Sequence, residues 1–301
     1  GIKVYQYKTY EQKLKGVKYD ILVSHAPNLK HHLKFLVKYE KEFDNVVFFF
    51  HGHEVLRTSK VYPKPYTFIK PNYLLWQLAR DIYDSVKLMI WRQYFKKIAY
   101  KSQFVFVSKW MYDMFIKFVK INPEIIKDRK YIIYNCVGKD FEDNSYNPNV
   151  PKKYDFFTIR NNLDGSKYGI DIVNNIAKNN PQYKFCIVGK GRFFEFNKKP
   201  DNLEWIDKNL THKEVIEFLN KAKCALLPTR ADAQGVMACE MATFGIPLIT
   251  SNIDVCKEIF EEFENVAFID NDDEKINIEN IFERLQNIKI KEKCEKYFAK
   301  N

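Results

Sequence analysis

Two acidic residues, Asp232 and Glu240, lie eight positions apart in the segment "RADAQGVMACEMATFGIP", with Gly235 between them. Paired carboxylates can serve as acid and base on a glycosidic bond, or they can accept hydrogen bonds from hydroxyl groups. The apolar run "CALLPT" before Asp232 predicts a strand, and "VMACEMATFG" after Gly235 predicts a helix. The two acids therefore bracket a loop and a helix start, which favours hydroxyl recognition over acid–base chemistry.

The predicted helix start supplies a second chemical group. The backbone amides of Gly235, Val236 and Met237 have no partner within the helix and lie at the positive end of its dipole, where an anion is stabilised. We expect these amides to hold a phosphate, with Glu240 binding ribose hydroxyls one turn further in and Asp232 binding sugar hydroxyls. The alternative is that Asp232 caps the helix and Glu240 is solvated, but the small and apolar neighbours of Glu240 argue against it.

The elements around this loop alternate between short apolar runs and longer amphipathic ones, which is typical of parallel α/β sheets. A polar segment with two prolines, 138–153, separates two such halves and is the predicted linker. The chain is therefore predicted to form two Rossmann-like domains, 1–144 and 145–301. In the second half the predicted strands are "DFFTIR", "KFCIVGKG", "LEWID", "CALLPT", "PLITS" and "VAFID", with helices between them.

The charge distribution distinguishes the halves. Residues 1–150 carry 26 Lys and Arg against 14 Asp and Glu, whereas the whole chain has a net charge of +11. A basic first half favours an anionic partner, although a general bias toward lysine would also produce it. The aromatic and basic stretch 73–98 predicts a long helix that either lies on an anionic membrane or packs on its own sheet.

Six cysteines are scattered singly, so neither a disulfide framework nor a cysteine metal site is predicted, and we expect buried thiols in a reducing compartment. No apolar run approaches 18 residues, and no signal-peptide pattern opens the sequence, so we expect a cytoplasmic protein.

The segment "PTRADAQGVMACEMATFGIPLITSN" resembles the C-terminal donor motif of family 4 retaining glycosyltransferases of the GT-B fold. It is most similar to a bacterial subgroup that assembles surface polysaccharides, in which an Asp-Ala-Gln-Gly form occurs. The resemblance extends from Tyr19 to Asp270 and implies two Rossmann-like, doubly wound domains that face a cleft. The acceptor is expected on the first domain, 1–144, and the nucleotide sugar on the second, 145–301.

Further segments follow in the order that the family shows. "FFTIRNNLDGSKYGIDIV" is similar to a strand and loop that supply a diphosphate-binding pair, which implies that role for Arg160 and Lys167. Without the resemblance, both would be ordinary exposed loop residues. "CIVGKG" is similar to the Gly-x-Gly turn and makes Gly189 a candidate ligand residue, and "IIYNCV" makes Asn135 a residue that lines the cleft.

The histidine that follows "VVFFF" is His51, which matches a family histidine beside the donor sugar. An imidazole at a strand end can hydrogen-bond a sugar hydroxyl or support the positive charge of the transition state. His25 in "LVSHAP" is a weaker candidate, because a lone histidine is more often structural.

The resemblance implies a metal-independent hexosyltransferase that moves a sugar from a nucleoside-diphosphate sugar to an oligosaccharide or lipid-linked acceptor. His51, Asp232, Arg160 and Lys167 are the predicted catalytic set. No cofactor is expected beyond the sugar nucleotide. The departing phosphate would itself take the acceptor proton, so no enzymic base is required.

Two departures qualify the match. The first acid is Asp232 where the general family has glutamate, so the sugar hydroxyl that it meets can differ. Counterparts of the family's first strand and its glycine-rich loop are absent before Tyr19, and so is a crossing helix after "EKCEKYFAKN", which implies a compact variant or a fragment.

Two other functions remain open on the sequence. One is a catalytically weak protein that binds sugar nucleotides or polysaccharide. The other is a glycosyltransferase that acts on nucleic acid, which the basic half allows but which lacks support from any nucleic-acid-binding motif.

Overall fold

A computed structural model describes residues 6–273, 275–288 and 292–301. The strands are β1 (Tyr19–His25), β2 (Phe43–Phe50), β3 (Ser102–Phe106), β4 (Lys130–Ile132), β5 (Tyr154–Asn162), β6 (Phe185–Lys190), β7 (Leu203–Ile206), β8 (Ala222–Leu227), β9 (Leu248–Ser251) and β10 (Val266–Ile269). The α-helices are α1 (Tyr7–Thr9), α2 (Lys34–Tyr39), α3 (Thr58–Val61), α4 (Tyr73–Ile98), α5 (Lys109–Val119), α6 (Lys139–Asp143), α7 (Ile170–Asn179), α8 (Phe193–Phe196), α9 (His212–Asn220), α10 (Val236–Phe244), α11 (Asp254–Phe260) and α12 (Glu279–Gln286). Short segments of π or 3₁₀ helix cover Tyr10–Leu14, Leu29–Leu33, Glu40–Glu42, Ala99–Lys101, Pro123–Arg129 and Ser166–Tyr168.

Two compact units make up the chain, and each contains one parallel sheet. Unit 1 consists of Gly1–Arg57 and Asp81–Ile133, and unit 2 of Thr58–Arg80 and Tyr134–Asn301. The predicted α/β fold with two Rossmann-like domains is confirmed. The unit boundaries differ from the predicted 1–144 and 145–301, since 58–80 and 134–144 belong to unit 2.

Unit 1 holds a four-stranded sheet in the order β1-β2-β3-β4, in which every pair is parallel. Its core is aromatic, because β2 and β3 turn phenylalanines onto the second half of α4. Phe48, Phe95 and Phe104 are fully buried, and Phe95 packs edge to face on Phe48 and on Phe104, with ring centroids 5.0 and 5.5 Å apart. Residues 73–98 thus form one continuous helix, as predicted, and the second half of this helix packs on the sheet of unit 1.

Unit 2 holds a six-stranded parallel sheet in the order β10-β9-β8-β5-β6-β7. Counted within the unit, the order is 6-5-4-1-2-3, the arrangement of a doubly wound dinucleotide-binding fold. Helix α7 shows why this sequence forms such a layer: Ile170, Val173 and Ile176 recur at helical spacing and are buried against the sheet. The order of the strands reverses between β5 and β8.

Segment 58–80 joins unit 2 through its own aromatic residues. Tyr66 and Phe68 pack against Phe193 of unit 2, with ring centroids 5.2 and 6.5 Å from it. The hydroxyl of Tyr66 also donates to Asp171 at 2.7 Å. These contacts join residues more than 100 positions apart, so no local sequence pattern reveals them. The sequence therefore predicted a contiguous first domain that included segment 58–80.

The predicted linker at 138–153 is wrong. It contains α6, whose Phe141 is fully buried and lies 6.2 Å from the ring of Phe244. Tyr146 donates its hydroxyl to the carbonyl of Ala222 at 2.8 Å. Polar composition indicated a linker, but the buried ring of Phe141 and the half-buried Tyr146 fix the segment to unit 2.

Candidate functional site

The carboxyl ends of β5 and β8 form the edge of unit 2 at which the strand order reverses, and doubly wound sheets bind ligands at such an edge. Arg160 lies near the end of β5, and the loop 228–235 follows β8 directly. The structure therefore brings Arg160 and the loop 228–235, which carries Asp232 and is called the acidic loop below, to neighbouring strand ends.

The loop 228–235 is fixed by hydrogen bonds to its neighbours. The amide of Thr229 donates to Oγ of Ser251 at 2.8 Å, and its hydroxyl donates to the carbonyl of Lys167 at 3.1 Å. Nδ2 of Asn271 donates to the carbonyl of Thr229 at 3.0 Å. The backbone that precedes the helix start is thus held on both sides.

Helix α10 begins at Val236, as predicted, with Gly235 as its N-terminal cap residue. No acidic side chain lies in the first turn, so its amides and the helix dipole are not neutralised there. Asp232 does not cap the helix, since its carboxylate accepts from the amide of the adjacent Ala233 at 2.8 Å. A Cβ at position 235 would lie 3.2 Å from Oδ2 of Asp232, so glycine permits the close approach of loop and carboxylate.

Glu240 is 3% exposed, which rules out a solvated helix residue. Its Oε1 accepts from the amide of Gly138 at 3.2 Å and lies 3.8 Å from Nε2 of His212. Burial raises the pKa of this carboxyl, while the Gly138 amide and His212 oppose the rise. A Cβ on Gly138 would lie 2.9 Å from the imidazole of His212, so any other residue at position 138 would push that ring away from its present position.

Arg160 is a half-buried cation with an unused donor. Its Nη2 donates to the carbonyl of Pro228 at 2.9 Å, and its Nε is buried without a partner among the described residues. Burial lowers the pKa of the guanidinium, and the nearby Asp232 opposes that effect. A buried N–H without a partner is costly, and an anion at this strand end would satisfy it.

Lys167 lies beside the same loop. Its ammonium is 4.7 Å from the ring centroid of Tyr168, and the guanidinium carbon of Arg160 is 5.2 Å from that centroid. The two predicted cations therefore contact one aromatic ring. Among the described residues neither of them forms a salt bridge with a carboxylate, so both can bind an anionic group.

Asn135 is attached to the acidic loop by Gln234, a residue that the sequence analysis passed over. Oε1 of Gln234 accepts from the amide of Asn135 at 2.6 Å, and Nε2 donates to its carbonyl at 3.0 Å. Gln234 is 6% exposed. A side-chain amide that bonds both backbone groups of a distant residue fixes two loops together, which no sequence spacing reveals.

Arg230, the first residue of the acidic segment, has a structural partner. Its guanidinium forms two hydrogen bonds with Asp171, at 2.8 and 2.7 Å, and a third with the carbonyl of Ser166 at 2.9 Å. Asp171 also binds Tyr66, so Arg230 connects the loop to segment 58–80. It was not predicted to have a role.

Gly189 has a packing role at the predicted turn. A Cβ there would lie 1.9 Å from the carbonyl oxygen of Arg160, and its φ of +153° is rarely adopted by other residues. The glycine lets the ends of β5 and β6 approach closely, while ligand binding by Gly189 stays a prediction. Val236 and Met237 lie in the first turn of α10, where their amides were expected.

His51 belongs to unit 1 and directly follows β2, as predicted. Its Nε2 lies 3.1 Å from Nδ1 of His25, within hydrogen-bonding distance. The amides of His51 and Gly52 both donate to the carboxylate of Glu54, at 3.0 and 2.6 Å. Burial lowers the pKa of His51, and the neighbouring His25 lowers it further while Glu54 raises it. The weaker candidate His25 thus contacts the stronger one.

A family model described as "Glycosyl transferases group 1" matches residues 140–301, which is more than half of the chain. No curated protein matches the sequence.

Solved structures share the fold at low sequence identity. Sucrose-phosphate synthase from Thermosynechococcus elongatus aligns with a TM-score of 0.64 and 13% identity, over 93% of this chain and 69% of the other. A glycosyltransferase from Rickettsia africae aligns with a TM-score of 0.58 and 12% identity, over 89% and 69%. The pneumococcal O-GlcNAc transferase GtfA, solved with UDP and GlcNAc, aligns with a TM-score of 0.55 and 12% identity. The alignment covers 93% of this chain and 51% of that protein.

Proposed function

The chain belongs to the group 1 glycosyl transferases, and on that premise we propose that it transfers a sugar from a nucleoside-diphosphate sugar to a hydroxyl acceptor with retention of configuration. The observation that carries this proposal is the start of α10. Its amides lie between two buried or half-buried acids, and Arg160 with its unpartnered Nε stands at the neighbouring strand end.

The groups at the carboxyl ends of β5 and β8 have separate roles in the proposed reaction. The amides of Gly235, Val236 and Met237 bind the diphosphate, since a helix start stabilises an anion. Arg160 and Lys167 offset the charge that develops on the leaving diphosphate, in place of a metal ion. No cluster of three or more metal-binding side chains is found within 6–273, 275–288 and 292–301.

The two acids bind hydroxyl groups. Glu240 holds ribose hydroxyls through Oε2, because Oε1 is engaged by Gly138. Asp232 orients the donor sugar through Oδ2, because its Oδ1 accepts from Ala233. Aspartate in place of the family's glutamate shortens this reach by one methylene, so Asp232 sets which sugar is accepted.

The reaction follows the front-face course that the family resemblance implies. The bond from the anomeric carbon to the phosphate oxygen breaks, and the acceptor oxygen bonds to that carbon on the same face. The acceptor proton passes to the departing phosphate oxygen, so the products are a glycoside and a nucleoside diphosphate. In this proposal His51 hydrogen-bonds a sugar hydroxyl or stabilises the positive charge of the transition state, as the family resemblance implies.

The donor site is tested by thermal shift and hydrolysis with a panel of UDP-, GDP-, ADP- and dTDP-sugars. We expect one base class to raise the melting temperature and to be hydrolysed, and Glu240→Ala to lose both effects. Glu283→Ala, on the exposed face of α12, is the matched control and should behave as the wild type. A panel without any stabilising nucleotide would refute the proposal, as would an equal response of Glu240→Ala.

Two further measurements distinguish this proposal from the two remaining functions. Calorimetric binding of a nucleoside diphosphate without hydrolysis or transfer would favour the sugar-nucleotide-binding protein. Salt-dependent retention of duplex DNA would favour a nucleic-acid acceptor. We place the chain instead in family 4 and in surface polysaccharide or glycolipid assembly, and capsular oligosaccharides and lipid-linked sugars are the acceptors to assay.

We further propose a cytoplasmic enzyme that attaches peripherally to an anionic membrane. The first half of α4 presents an exposed apolar stripe, in which Leu74, Leu75, Leu78 and Ile82 are 56 to 72% exposed. None of the described helices is long and apolar enough to cross a membrane. Co-sedimentation with phosphatidylglycerol vesicles should fall for Leu75→Glu relative to Lys213→Glu, an exposed site on α9, and equal sedimentation would refute the attachment.

A further inference from the structure

A cavity in unit 2 lies beside the loop that carries Lys167. It has a volume of about 500 Å³ and is lined by segment 58–76 and by loop 162–168. Ligand-binding pockets typically have volumes of about 300–1,000 Å³ and combine aromatic walls with a few polar groups. We name it the aromatic pocket, after its residues Tyr62, Tyr73, Trp76 and Tyr168.

Aromatic rings give the pocket a flat apolar wall. Tyr73 and Trp76 are adjacent on the first turn of α4, with ring centroids 5.8 Å apart and planes tilted by 31°. Trp76 is 38% exposed, so a large part of its apolar ring is accessible to a ligand. The apolar face of a sugar ring can stack on such a surface while its hydroxyl groups remain free to hydrogen-bond at the edge.

Two ammonium groups stand among these rings. Nζ of Lys70 lies 3.1 Å from the ring centroid of Trp76, and Nζ of Lys167 lies 5.5 Å from that of Tyr62. No salt bridge joins either lysine to a carboxylate in the described part of the chain. Burial lowers the pKa of Lys70, and the neighbouring Arg80 acts in the same direction. A bound anion would offset both effects.

One acidic residue also lines the pocket and limits the kind of ligand. Oδ1 of Asp164 accepts from the amide of Arg192 at 2.8 Å, which leaves Oδ2 to accept from a hydroxyl group. A ligand that consists only of phosphate would be repelled there. A sugar with one anionic substituent satisfies both sides, because its hydroxyls can face Asp164 and its charge can face Lys70.

Lys167 connects this pocket to the proposed donor site. Its carbonyl holds the loop 228–235 through Thr229, while its ammonium lies among the rings of the pocket. We propose that the aromatic pocket binds the acceptor, as a pyranose ring stacked on Tyr73 and Trp76 with an anionic substituent at Lys70. The inference rests on the proposed function, since it names the class of acceptor for that reaction.

The test is calorimetry and saturation-transfer NMR on the full chain with four probes. These are glucuronic acid, glucose 1-phosphate, methyl glucoside and inorganic phosphate, so a carboxylate and a phosphate source of the charge are compared directly. We expect one or both charged sugars to bind at least about threefold more tightly than methyl glucoside, as for a partly exposed ion pair. Inorganic phosphate should bind more weakly than the charged sugar.

Variants assign the binding to the pocket. Trp76→Ala should weaken sugar binding about fivefold, as expected for loss of an aromatic contact, and Trp76→Phe should restore part of it. Lys70→Gln should remove the preference for charged sugars. Phe196→Ala and Lys213→Gln, at exposed sites outside the pocket, should change neither property.

The inference would be overturned by equal binding of charged and neutral sugars, by phosphate binding as tight as that of glucose 1-phosphate, or by an unchanged sugar affinity of Trp76→Ala. Nucleoside-diphosphate affinity is measured in the same variants and should stay constant. If Trp76→Ala weakens nucleotide binding instead, the pocket holds the base and the acceptor assignment is wrong. Absence of nucleotide binding in the wild type would remove the proposed function alone.

Discussion

Replacement of Gln234 by alanine tests how the acidic loop is held. The change deletes two hydrogen bonds, at 2.6 and 3.0 Å, to the backbone amide and carbonyl of Asn135. A hydrogen bond contributes about 0.5–1.5 kcal/mol net, and a donor or acceptor left unpaired away from water costs about 1–3 kcal/mol. Because Gln234 is 6% exposed, water can replace the lost partners only in part. We expect a loss of about 2–3 kcal/mol in the free energy of unfolding.

Calorimetry of the full chain measures this loss. For a domain of 150–250 residues, 1 kcal/mol lowers the melting temperature by roughly 2–4 °C, so the unit 2 transition should fall by about 4–12 °C. Gln286→Ala is the matched control, because Gln286 is exposed and makes a single hydrogen bond to the carbonyl of Lys223 at 3.1 Å. We expect it to change stability by less than about 0.5 kcal/mol.

A second variant separates the two bonds. In Gln234→Glu a carboxylate can still accept from the amide of Asn135, but it faces the carbonyl without a proton to donate. Its melting temperature should therefore fall at neutral pH and recover in acid, as the carboxyl becomes protonated. Equal melting temperatures for Gln234→Ala and Gln286→Ala would show that the side chain of Gln234 does not hold the loop.

Three other perturbations address the site. Burial raises the pKa of Glu240 in the folded protein above its ordinary value of 4.5. The ionised carboxylate therefore lowers the free energy of unfolding at neutral pH. This loss of stability disappears as the pH falls through the folded-state pKa toward 4.5, because the carboxyl becomes protonated. Chemical denaturation should find Glu240→Gln at least as stable as the wild type at pH 7.5, with a gap that narrows by pH 4.5. Arg160→Ala should weaken nucleoside-diphosphate binding by about tenfold or more in calorimetry, because a charge-assisted hydrogen bond contributes about 1.5–3 kcal/mol, and Arg160→Lys should recover part of it. His25→Asn should raise the pKa of His51 in an NMR titration, since His25 lowers it.

Two of these perturbations have a control variant, and the third has a result that would contradict it. Arg284→Ala, on the exposed face of α12, should leave nucleotide affinity unchanged, and an equal loss in both arginine variants would point to net charge alone. A constant stability gap for Glu240→Gln between pH 4.5 and 7.5 would contradict the raised pKa. His31→Asn, an exposed histidine, should leave the titration of His51 unaltered.

The sequence by itself determined many of the strands and helices and where the candidate site residues lie along them. Alternating apolar runs define the strands, because a parallel strand that is buried on both faces needs a continuous apolar run. The start of α10 at Val236 and the position of Arg160 near the end of β5 followed from local patterns in the chain. These features depend on residues that are close in sequence, which is why spacing reveals them.

Only the tertiary structure decided which distant residues hold those groups in place. Gln234 bonds Asn135 across 99 positions, and Glu240 meets Gly138 across 102. The polar segment after Val137 belongs to unit 2 because the ring of Phe141 is buried there, which its composition conceals. Contacts of this kind arise from the packing of strands and helices, and a linear pattern does not encode them.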